Sequence, residues 1–224
     1  MITDNVLKSA CGLLFIGLAA GLIGQIELMW SGILFLSEAA YLRLVQVHFW
    51  VTPLSLGTIC LVTLPMVRRK GTRRHWIVWG LAATIPLLSG LVIQLMLLNV
   101  HPDAYLHDTV YATAIRHAYG NVGLCFALGG ISAWLTEKGK SLPWKVTIPI
   151  AVLISVSALM FILLQASLGL NGMPRRYVDY PQPFALLQFY ASLAAIICLS
   201  LAGLYLVLLW RRPDERATCL DDVF

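Results

Sequence analysis

Val146 to Leu170 reads "VTIPIAVLISVSALMFILLQASLGL", a run without a single charged residue. As a helix rising 1.5 Å per residue it is long enough to cross the roughly 30 Å hydrocarbon core of a bilayer. No water reaches that core, so every backbone N–H and C=O must be paired within the segment. Only a helix does this for a lone apolar run. Similar runs recur along the chain and place spans at about 8–30, 42–66, 76–99, 107–135, 144–170 and 183–210. The sequence is thus read as an all-α, polytopic membrane protein with six transmembrane helices in a single domain over residues 1–224. Composition agrees: 59% of residues are hydrophobic and 12% charged, with a mean hydropathy of +0.80. A soluble domain carries about twice that charge.

The first run is too long for the apolar region of a signal peptide, and no small-residue cleavage site precedes Trp30-Ser31. It reads as a retained anchor. The net charge of +5 is unevenly placed. "RRKGTRRH" (Arg68 to His75), "TEKGKSLPWK" and "RRPDER" follow spans two, four and six. By the positive-inside rule both termini and these basic loops are cytoplasmic, and loop 171–182 faces outward. The expected location is a bacterial inner (cytoplasmic) membrane, with membrane lipid as surroundings. The basic runs are topology signals, and no nucleic-acid partner is expected.

Cys11, Cys60, Cys125 and Cys198 fall within spans and Cys219 in the tail, without a C-x-x-C or C-x-x-C-H pair. Neither a disulfide framework nor covalently attached haem is indicated. Gly17, Gly21 and Gly24 recur at helical spacing, as do Gly120, Gly123 and Gly130. Small residues of this kind let helices pack closely; they also leave room for a flat cofactor. Pro53, Pro86 and Pro149 bend helices and identify no function.

Ionisable groups at membrane depth point to function. Of the five histidines, His75 falls in the cytoplasmic basic loop, and His101 and His107 at the outer surface. His48 and His117 lie inside spans. His48 is six residues past Leu42, about 9 Å down, and His117 nine past Asp108, about 13 Å down. Two imidazoles at one depth suit the axial positions of a low-spin haem iron. Zinc or copper would need further ligands at that level. The alternative is a pair of histidines hydrogen-bonded to neighbouring helices.

One outward loop breaks the charge rule. "NGMPRRYVDYP", Asn171 to Pro181, sets Arg175 and Arg176 between two apolar runs, braced by Pro174 and Pro181. A haem standing along the membrane normal near the outer face turns its propionates outward. Arginine is the side chain that grips carboxylates in a bidentate fork. The depth of the histidines and the sidedness of the arginines agree.

These residues carry a resemblance. "GMPRRYVDYP" resembles the extracytoplasmic signature loop of haem-copper terminal oxidase subunit I, where paired arginines bind haem propionates. "YLHDTVYATAIRHAYG" is similar to that family's tenth helix: His107, Asp108, Thr109 and Tyr111 match its start, and His117 falls on the low-spin haem ligand. More loosely, "FIGLAAGLIG" and "YLRLVQVHFW" resemble its first two helices, which makes His48 the other axial ligand. His107 and Asp108 resemble the family's outer-surface pair near the propionates and a magnesium ion; a solvated His beside a capping Asp is the other reading. The resemblance covers nearly the whole chain and about half of the family's subunit.

The chain also departs from the pattern. Ile115 stands where the family has its high-spin haem ligand, and Arg116 stands beside it. The helices that bring histidines to copper have no counterpart, so the resemblance implies one low-spin haem, of b, o or a type, and no copper. Arg116 is left to a haem edge, Gln94, Gln165 or a partner; Arg43 reads as snorkelling to headgroups.

The expected function is a membrane cytochrome that transfers electrons in a respiratory chain, not a complete oxygen-reducing enzyme. Its partner would be a redox protein at the outer surface or a quinol. The alternatives are an accessory that holds haem for, or regulates, terminal-oxidase subunits, and a haem-free structural subunit.

Overall fold

Among the described residues six long helices carry the chain back and forth, and their ends show why they stop where they do. The computed structural model describes residues 2–29, 37–69, 71–99, 109–173 and 182–212. The helices are α1 (Ile2–Met29), α2 (Glu38–Thr63), α3 (Arg73–Asn99), α4 (Val110–Glu137), α5 (Trp144–Leu170) and α6 (Gln182–Arg211), with a 3-10 turn over Leu64–Arg68. All six are long and apolar enough to cross a membrane. Relative to the apolar runs, α1 starts earlier, at Ile2, and α2 at Glu38. Polar end residues cost nothing in a helix that extends into the headgroup layer.

Side chains and glycines close the helix ends. The Ser37 hydroxyl accepts from the Ala40 N–H at the start of α2, and the Thr109 hydroxyl from the Tyr111 N–H at the start of α4. Each satisfies a donor left over by the first turn. After α4, Gly139 takes a positive φ of 79°, and Lys140 N–H reaches back to Leu135 O. After α5, Gly172 does the same at 82°, and Met173 N–H bonds Leu168 O. Both are glycine-terminated ends in which a left-handed residue lets the chain cap its own last carbonyls. Met173 O then accepts from Val110 N at 3.0 Å, which ties the end of α5 to the start of α4.

Helix α4 is the centre. It packs against α2, α3 and α5 and touches α6, while α1 joins α2 to α6 on the far side. From Ala127 to Leu135 every residue of α4 is buried. Lipid is as apolar as leucine, so close backbone approach and a few polar bonds hold such a bundle rather than a hydrophobic drive. Both are present. A Cβ on Gly130 would stand 2.1 Å from Thr63 Oγ1, and one on Gly169 2.2 Å from the backbone N of Tyr111. Ser132 Oγ and Tyr205 Oη, both buried, bond at 2.8 Å between α4 and α6.

The end bearing the first residues of α1 is polar. Asp4 pairs with Lys138 and accepts from Trp134 Nε1 at 3.1 Å, and Arg69 meets Glu137 at 2.6 Å. His75 departs from the reading as a loop residue: it sits in the first turn of α3 and is only 3% exposed. Its position beside a run of arginines hid a side chain that turns inward.

Candidate functional site

His48 and His117 come from α2 and α4, which run in the same direction and pack side by side. Two close approaches set their register: Leu56 lies against Gly123, and Thr63 against Gly130. Both pairs share one offset. Carried back along the helices, it sets His48 opposite Ile115, two residues, or about 3 Å of rise, from His117. The imidazoles thus belong to one level of the bundle.

The His48 ring is held by α1. Its Nδ1 lies 2.8 Å from Gly17 O and 3.2 Å from Thr52 Oγ1. A carbonyl only accepts, so Nδ1 carries the proton and Nε2 keeps its lone pair. That is the arrangement by which proteins present an imidazole to a metal. Room for it comes from glycine: a Cβ on Gly21 would fall 2.5 Å from His48 Nδ1, and one on Gly17 2.4 Å from Thr52 Oγ1. Gly24 has nothing within 4 Å. Two of the three spaced glycines therefore serve close packing of α1 on α2, and specifically on the histidine.

His117 is half-buried, its ring 4.7 Å from that of Phe161 on α5. Its backbone carbonyl accepts from Asn121 Nδ2 at 2.8 Å. Among the described residues no group of three or more His, Cys, Asp or Glu is arranged to hold a metal ion. The donor set is a pair of imidazoles.

Tyr111 is 1% exposed, and its hydroxyl donates to Ile93 O of α3 at 3.0 Å. It packs with Ile93, Ala114, Ala118, Ile162 and Ala166. Arg116 is exposed on α4; Gln94, its suggested partner, instead accepts from Tyr119 Oη. Arg43 is exposed too. Arg175, Arg176, His107 and Asp108 lie outside the described residues, as do His101 and Cys219. Sequence reasoning missed Thr52, one helical turn after His48, and Phe161, whose role depends on how α5 meets α4.

The chain as a whole resembles two known proteins. The chain is 31% identical over 156 residues to cytochrome c oxidase subunit 1 of Cereibacter sphaeroides, covering 68% of this chain and 25% of that protein. It is 29% identical over 125 residues to cytochrome c oxidase subunit 1 of Albinaria turrita, covering 55% of this chain and 62% of that one. This chain is a distant homologue of haem-copper oxidase subunit I. It spans a quarter of the length of the first relative and under two thirds of the second. No family model matches it.

Proposed function

We propose that this chain is an accessory of terminal-oxidase assemblies, in which His48 of α2 and His117 of α4 would hold one haem. The observation that carries the reading is the His48–Gly17 contact, in which Nδ1–H donates to the carbonyl and Nε2 keeps its lone pair on the level of His117. The described residues fit a group that needs two imidazoles from the protein and no third ligand. When bound, haem would supply a one-electron iron couple. Arg175 and Arg176 would receive its propionates, with His107 and Asp108 beside them. Membrane lipid surrounds the bundle, and the termini are assigned to the cytoplasmic side of a bacterial inner membrane.

Holding is preferred over permanent loading for a physical reason. Each imidazole is packed on its own neighbour, His48 against Gly21 and His117 against Phe161. Below them α2 and α4 close through Gly123 and Gly130. A planar ligand enters such a site by moving these contacts, which favours exchange. The second reading is an electron-transferring cytochrome served by an outer-surface redox protein or a quinol. Two imidazoles offered to the same group would suit that role.

The test is a reduced-minus-oxidised visible spectrum, with pyridine haemochrome analysis, of protein expressed with ample haem and purified in mild detergent. An α-band that is lost in His48→Ala and in His117→Ala supports the site. No band, or a band that neither variant changes, ends the haem assignment. Release of the haem to an apo-acceptor within minutes supports holding; retention through repeated exchange supports the cytochrome.

A further inference from the structure

The two imidazoles are not held alike. His48 is fixed before anything binds: Nδ1–H donates to Gly17 O at 2.8 Å, Thr52 Oγ1 lies 3.2 Å from the same nitrogen, and Gly21 lets the ring rest on α1. Among the described residues no hydrogen bond reaches the ring of His117. Asn121 Nδ2 bonds its backbone carbonyl, and Phe161 meets the ring with centres 4.7 Å apart and planes tilted by 58°. An aromatic neighbour limits where a ring can lie. It does not decide which nitrogen carries the proton.

The difference bears on strength. A ligating imidazole whose other N–H donates to a carbonyl or carboxylate is oriented in advance and made more basic, and loss of such a partner lowers metal affinity roughly 10–100-fold. An unheld ring must settle one tautomer and one orientation as it binds, and gives up side-chain freedom to do so. The amide one turn along α4 does not remedy this. Asn121 is engaged through its nitrogen with the His117 carbonyl and through Oδ1 with Cys198 Sγ of α6, at 3.4 Å.

We infer that His48 is the anchoring donor of the pair and His117 the releasable one, so that a haem held here is surrendered by loss of the His117 contact first. The inference rests on the haem reading above and adds the order of release. His117 leaves as a neutral imidazole, so neither a proton nor an electron moves with it. A donor from the acceptor can then take its place before His48 lets go.

The test follows haem from the full chain, expressed with ample haem and purified in mild detergent, into apomyoglobin. His48→Ala is expected to release haem at least about tenfold faster than His117→Ala. His117→Ala is expected to keep its haem in the pyridine haemochrome assay although its α-band is lost. Carbon monoxide added to the reduced, unaltered protein is expected to shift the Soret band as His117 gives way. A spectrum that carbon monoxide does not change overturns the order of release and leaves the haem site standing. Equal release from the two variants, or faster release from His117→Ala, does the same. A second measurement needs no haem: nitrogen NMR of the haem-free protein labelled in histidine, each signal assigned by its loss in the matching alanine variant. His48 is expected as a single Nδ1–H tautomer and His117 as a mixture of two. One fixed tautomer at both histidines overturns the inference. Haem missing from the unaltered protein ends the haem reading itself, and the order of release with it.

Discussion

The Nδ1 atom of His48 lies 2.8 Å from the carbonyl oxygen of Gly17, on a different helix. One contact does two things: it joins α1 to α2, and it determines which imidazole nitrogen is left with a lone pair. It exists only because α1 presents no side chain at Gly17 and Gly21, so the ring can lie against backbone. The same geometry makes the site sensitive to single methyl groups.

Gly21→Ala would place its Cβ 2.5 Å from His48 Nδ1 and 2.7 Å from Cε1. The ring must turn away, breaking the bond to Gly17. Overpacking of this kind costs about 1–3 kcal/mol, and the haem-to-protein ratio should fall with it. Gly24→Ala, which meets open space, should leave both unchanged. Thermal unfolding and pyridine haemochrome analysis of the two variants check this; indistinguishable behaviour would remove Gly21 from the site.

Gly169→Ala should be worse for stability. Its Cβ would meet the backbone N and Cα of Tyr111 at 2.2 and 2.5 Å, and no rotamer relieves a backbone clash. A loss at or above the top of the overpacking range, about 3 kcal/mol, is expected. Unfolding in detergent reads it directly. A midpoint equal to that of the unaltered protein would mean α5 does not approach α4 there.

Tyr111→Phe removes the hydroxyl that donates to Ile93 O. The expected loss is about 1 kcal/mol, the net worth of one such bond, with the visible spectrum unmoved. A shift in the haem band instead would give Tyr111 a part in the cofactor site.

Glu137→Gln tests the exposed end. The pair with Arg69 is short, at 2.6 Å, yet the arginine side chain is 62% exposed. Surface pairs contribute at most about 1 kcal/mol and are screened by salt. The unfolding midpoint should therefore move little, and less in high salt than in low. A large, salt-insensitive drop would show the pair to be buried by lipid or a partner.

The sequence alone determined that this protein is a bundle of six membrane helices. The reason is local: an apolar run of bilayer length must pair its own backbone, so "VTIPIAVLISVSALMFILLQASLGL" is a helix whatever surrounds it. It also singled out His48 and His117, because charge-bearing side chains are scarce within the spans. It did not determine which surface each residue meets, since that depends on how helices distant in the chain cross. Gly17, Gly21 and Gly24 look alike in sequence; only the meeting of α1 with α2 separates the two that seat Thr52 and His48 from the one that faces open space. His75 stands among arginines and reads as a loop residue, yet the packing of α3 on α4 and α5 buries it and leaves Nδ1 without a donor among the described residues. Helix formation is decided within one segment, where the periodic backbone closes on itself. A binding site is decided between segments, where neighbours fix the proton, the free lone pair and the space beside it.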